Sequence, residues 1–73
     1  MERYSLSLHG HRTSVSLEPE FWAALKELAA AKGLSTAGLV QKIDDERITQ
    51  GAKGGLSSAL RVYVLTTLQQ TGR

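Results

Sequence analysis

Polar and apolar positions alternate strictly along the first part of the chain. Tyr4, Leu6 and Leu8 share one parity against Ser5 and Ser7, and Thr13, Val15 and Leu17 share one parity against Arg12, Ser14 and Ser16. A period of two marks strands with one buried face. The second stretch predicts a strand over residues 11–18. Residues 1–10 allow two readings, an N-terminal arm or an extra strand that turns at His9-Gly10-His11.

From Pro19 the period becomes helical. Proline suits the first helical position, and Glu18 and Glu20 suit the positive end of a helix dipole. Phe21, Leu25, Leu28 and Ala29 then form one apolar stripe with Trp22 beside it, and Gly33 supplies a stop, which predicts a helix over 19–32. Ser35 is the N-cap candidate of a second helix over 35–49. Its stripe is Leu39, Val40 and Ile43, continued by Ile48, with Gln41, Lys42, Asp44 and Asp45 toward water. The glycine-rich run from Gly51 to Gly55 reads as a loop. Leu56-Ser57-Ser58 then caps a third helix over 57–70, where Ala59, Leu60, Val62, Tyr63, Val64, Leu65 and Leu68 spread around most of the circumference. A helix so broadly apolar must be buried on two sides. Gly33-Leu34-Ser35-Thr36-Ala37 is echoed by Gly55-Leu56-Ser57-Ser58-Ala59, read here as one helix-start chemistry used twice.

Length changes the picture. A chain of 73 residues makes a single domain over 1–73, and a monomer of that size buries only roughly 60% of its unfolded surface. Disulfides, metals or oligomerisation are the usual remedies. There is no cysteine, and His9 and His11 have no further ligands at metal spacing. No metal or other cofactor is therefore expected, and a homodimer is. The net charge of +2 is unevenly spread: Arg3 and Arg12 sit in the first part, Lys53, Arg61 and Arg73 in the last, and the acids concentrate between. Basic ends around an acidic centre fit a polyanion-binding face. No apolar run approaches a membrane span or a signal h-region, so a soluble, cytoplasmic protein is expected. Without a cysteine nucleophile, a phosphate-cradling loop or an acid pair beside a base, no catalytic residues and no enzymatic activity are expected.

The order strand, helix, Gly-Leu-Ser turn, helix resembles the ribbon-helix-helix (Arc/MetJ-like) superfamily of bacterial DNA-binding repressors and antitoxins. Arg12-Thr13-Ser14-Val15-Ser16-Leu17, then Phe21, Leu25, Leu28 and Ala29, then Gly33-Leu34-Ser35, then Leu39, Val40 and Ile43 carry the resemblance, across 12–48. With Leu56-Ser57-Ser58-Ala59-Leu60-Arg61 added, the chain looks like a compact bacterial subfamily with an additional C-terminal helix. The resemblance implies a mostly α fold with a short N-terminal β-ribbon. Two copies intertwine as a homodimer, each lending one strand to the ribbon. It also implies sequence-specific binding of double-stranded DNA in the major groove by a transcription regulator. The alternative is a dimeric protein-interaction module, an antitoxin-like adaptor whose C-terminal helix takes a protein partner.

Parity assigns the roles within that reading. Val15 and Leu17 must point to the helices and carry Thr13 with them, so Arg12, Ser14 and Ser16 face the groove as base-reading candidates. Arginine suits guanine O6 and N7, and serine hydroxyls donate or accept. The resemblance implies a phosphate at the start of the second helix, on Ser35, Thr36 and Ala37, where free N–H groups meet the positive dipole end. Arg3, His11 and Lys53 are auxiliary DNA-contact candidates. Arg61 is expected in an ion pair, Trp22 in packing, and Asp44 and Asp45 in a subunit interface. An extra strand before Arg12 would widen the sheet and hinder deep entry to the groove. Whether dimers associate further along DNA is open at this stage.

Overall fold

The computed structural model describes residues 1–51 and 54–71. Two strands, β1 (Glu2–Leu8) and β2 (His11–Leu17), precede three helices, α1 (Pro19–Ala31), α2 (Thr36–Thr49) and α3 (Leu56–Thr71). The strands pair antiparallel without a break, from Leu8 opposite His11 to Glu2 opposite Leu17. Of the two readings of the first ten residues, the strand holds. His9 at φ 54° and Gly10 at φ 78° form the turn. Positive φ at both central positions is the type I′ pattern, whose twist matches that of the flanking strands. β2 thus has a pairing partner within its own chain.

One face of this hairpin closes the core. Leu6, Leu8, Val15 and Leu17 pack with Leu25 and Ala29 of α1, Leu39, Val40 and Ile43 of α2, and Leu60 and Val64 of α3. Among the described residues no helix is long and apolar enough to cross a membrane.

The helix boundaries follow local chemistry. At the end of α1, the N–H of Leu34 donates to the Ala29 carbonyl at 2.9 Å and that of Gly33 to Ala30 at 3.1 Å. With Gly33 at φ 71° this is a Schellman stop. Ser35 caps α2 by accepting from the Gly38 N–H at 3.0 Å. A Cβ on residue 38 would lie 3.1 Å from that hydroxyl, so glycine keeps the cap closed.

Four details differ from the sequence expectations. α3 begins at Leu56, and the Gly55 carbonyl accepts from the Ala59 N–H at 3.2 Å, so Ser57 and Ser58 fall inside its first turn. The two Gly-Leu-Ser segments therefore start their helices differently. Ile48 does not continue the α2 stripe and is 61% exposed; at about 100° per residue it lies about 140° around the helix from Ile43. Asp44 does not face water but is only 8% exposed. α3 itself is buried on one side by Leu60 and Val64, while Val62 and Leu65 stay more than half exposed at 58% and 55%.

Candidate nucleic-acid interface

Residues directly opposite in an antiparallel pair share a face. The register therefore sets Arg3, Ser5 and Ser7 of β1 beside Arg12, Ser14 and Ser16 of β2 on the side away from the core. Arg3, Ser5, Ser7 and Arg12 are exposed, Ser14 and Ser16 half-buried. The Arg3 guanidinium donates to the Ser14 hydroxyl at 2.9 Å, tying the strands on that face. Glu2 and His11 belong to the opposite parity, so the outer face carries arginine and serine with no carboxylate. Its polar and cationic character comes from the alternation, which sends every apolar residue of the hairpin the other way.

The three candidates Arg12, Ser14 and Ser16 therefore share one surface, and Arg3 joins them from β1. Ser5 and Ser7 were not among the candidates, although the same alternation and the turn-forming His9-Gly10 were visible. His11 is exposed at the turn but off this face, and Lys53 lies outside the described residues. Ser35, Thr36 and Ala37 form a second patch at the start of α2. The Ser35 hydroxyl is engaged by Gly38, and the Ser35 carbonyl accepts from Leu39 at 3.0 Å. The N–H groups of Thr36 and Ala37 remain first-turn donors without an intrahelical acceptor.

Polar contacts at the turn tie the hairpin to α2. The His9 N–H donates to the Gln41 side-chain oxygen at 3.0 Å, and its Nε2 lies 3.0 Å from Asp45 and 3.8 Å from Asp44. Asp44 is buried because Arg47 grips its Oδ1 from Nη2 at 2.7 Å and Nε at 3.1 Å. Arg47 also donates to the Gly54 carbonyl at 3.3 Å, which fixes the approach to α3. Along the open side of β2 runs a groove of about 540 Å³ lined by Ser14, Val15, Ser16, Asp44, Arg47 and Leu56, among others. Trp22 stacks on Tyr4 with ring centroids 4.3 Å apart and planes 6° from parallel, a packing role.

Arg61 is in an ion pair, as its place on a broadly apolar helix suggested. Its Nε donates to Glu18 at 2.9 Å and its Nη2 at 3.3 Å. That hydrogen bonding holds the Glu18 carboxyl below the usual glutamate range. A carboxyl with a lowered folded value contributes stability above its unfolded value and loses it as pH falls through the folded one. Glu18→Gln should therefore lower the thermal midpoint at neutral pH and converge with the parent in acid. A constant gap across the acid limb would exclude the pair as the cause. The Glu18 side chain makes no cap hydrogen bond to α1, so the substitution leaves the helix start intact.

A family model for the ribbon-helix-helix domain matches residues 1–68. The chain belongs to the ribbon-helix-helix domain family. The match includes β1 and nearly all of α3, so both additions to the minimal strand-helix-helix unit are part of this ribbon-helix-helix domain. Proteins of the family are generally DNA-binding transcription regulators and usually form dimers. No curated protein and no solved structure matches this chain.

Proposed function

We propose that this ribbon-helix-helix domain is a sequence-specific transcription regulator, a cytoplasmic repressor that binds double-stranded DNA as a homodimer. The polar face of its sheet addresses the major groove. The observation that carries this reading is the carboxylate-free outer face of arginine and serine, held rigid by the buried Leu6, Leu8, Val15 and Leu17 behind it. Arg12 is the principal base reader, suited to guanine, with Ser14 and Ser16 tuning neighbouring positions. Their small size lets the backbone approach the base edges. The N–H groups of Thr36 and Ala37, with the Ser35 turn, hold a phosphate and set the register from which bases are read. We read this as binding rather than catalysis, since the strand residues of the face are arginines and serines and none of them is a histidine or a carboxylate.

The test is selection from a randomised duplex pool, followed by affinity measurements at rising salt. The logarithm of affinity should fall linearly with that of salt, with a slope of about 0.9 per phosphate neutralised. Salt-independent retention, or no selected sequence, would reject the reading. Thr36→Glu separates the phosphate role from folding. An acid in the first turn suits the helix dipole, so the thermal midpoint should hold or rise slightly. Affinity for selected and scrambled duplexes alike should drop about tenfold or more, through repulsion of the phosphate. A loss confined to the selected duplex would remove Thr36 from the phosphate site.

A further inference from the structure

The geometry points to a four-stranded sheet, β1-β2-β2-β1, formed when a second copy of this chain pairs along the open edge of β2. In it the central strands face the bases, and the outer strands carry Arg3, Ser5 and Ser7 onto the sugar-phosphate walls of the groove. This deepens the DNA-binding reading and rests on it.

The edge is built for pairing. In a hairpin with a two-residue turn, the flanking residues form a hydrogen-bonded pair and the bonded pairs then alternate. His11, Thr13, Val15 and Leu17 thus spend their backbone groups on β1, and Arg12, Ser14 and Ser16 direct theirs to the open side. Sheet edges are commonly protected by proline, lysine, a bulge or a covering element. β2 contains neither proline nor lysine, its seven residues keep an unbroken register, and among the described residues no strand pairs with its second edge, where a groove of about 540 Å³ separates it from Asp44, Arg47 and Leu56. The turn between the strands is held on α2 through His9, Gln41 and Asp45, and β1 is the strand that packs against α2.

Face and charge narrow the register, and an axis at Ser14 satisfies both. A one-residue slip would turn Val15 and Leu17 outward, so opposed residues must share parity. With Ser14 on the two-fold axis, Arg12 of one copy lies opposite Ser16 of the other. An axis at Arg12 would oppose two like charges. The central row is then serine throughout, and the rows on either side each hold an Arg3 and an Arg12 from different copies.

Width divides the work. Strands lie about 4.8 Å apart, so the outer pair stands about 14 Å apart, against a major groove about 12 Å wide. With the strands running along the groove, four cannot all descend into it. The β1 strands rest over the walls, where Arg3 and the two serines meet phosphates, and only the β2 strands face base edges. The extra strand does not block the groove; it meets the rims, and the central strands between them present Arg12 as the longest reach to the bases with Ser14 and Ser16 beside it.

The chain has no cysteine, so a lock is clean to build. Ser5 and Ser14 are opposite each other, at a non-bonded position with Cα atoms about 4.5 Å apart, within disulfide range. A protein carrying Ser5→Cys and Ser14→Cys is compared with itself, oxidised and reduced, by native mass. The four-stranded sheet predicts a dimer in both states. Monomers on oxidation would mean that β1 must leave β2 for copies to pair, and would overturn the inference. Both residues lie on the DNA face, so the readout is assembly and not affinity. Ser5→Cys alone giving cross-linked dimers while Ser14→Cys alone does not would place the interface on β1, with the same consequence. Arg3→Ala should weaken selected and scrambled duplexes equally and reduce the salt slope by about two, one phosphate per copy. An altered selected sequence or an unchanged slope would refute the wall assignment. A parent protein that binds no duplex defeats the DNA reading itself, whereas a parent that binds and a locked form that runs as a monomer defeats only this inference.

Discussion

Arg12→Ala is expected to abolish the preference for a selected duplex while leaving fold and dimer mass unchanged. Arg12 is exposed on the outer face of β2, next to Ser7, and contributes nothing to the core. A bidentate arginine–guanine contact supplies about 1–3 kcal/mol of discrimination, and a dimer makes it twice, so the expected loss is about 2–6 kcal/mol. The measurement is the ratio of affinities for selected and scrambled duplexes in one buffer. That ratio should collapse toward unity while residual, salt-sensitive binding persists through the phosphate contacts. A preserved ratio would mean that another residue, or DNA shape, carries the specificity.

Leu60→Ala is expected to have the largest effect on stability, and it bears on the rival reading of α3. Leu60 is fully buried in the cluster that also holds Leu17 of the sheet and Leu25 of α1. Truncating a buried leucine costs about 2–5 kcal/mol, against about 4–11 kcal/mol in total for a domain of this length. At about 4–8 °C per kcal/mol, the thermal midpoint should fall by about 10 °C or more. Leu65→Ala, on the exposed side of the same helix, should shift the midpoint of the isolated chain far less. An adaptor tail awaiting a protein partner would behave otherwise, with Leu60→Ala leaving the midpoint unmoved. The burial of Leu60 and Val64 makes α3 part of the domain core, and any protein contact is left to its outer side at Val62 and Leu65.

Much of the architecture was legible because burial leaves a periodic trace. Leu25 and Ala29 stand on the α1 stripe and are both buried, and Leu39, Val40 and Ile43 do the same on α2. The candidate surface was half legible. Arg12, Ser14 and Ser16 followed from the parity of Val15 and Leu17, but Ser5 and Ser7 needed β1 to be known as a strand beside β2. Asp44 defied its residue type because Arg47, one turn on, neutralises it at the edge of the core.

By itself, then, the sequence determined the buried side of β2, the core stripes of α1 and α2, the chemistry that stops α1 at Gly33 and caps α2 at Ser35, and that the β2 face opposite Val15 is arginine and serine. These are properties of one segment and its own period, set by backbone geometry and local hydrogen bonding. The tertiary structure alone decided that β1 pairs with β2, that Arg3 therefore joins Arg12, that His9 reaches α2, and that among the described residues no strand pairs with the second edge of β2. Such facts depend on which elements meet, and a period along a single strand or helix carries no record of its neighbour.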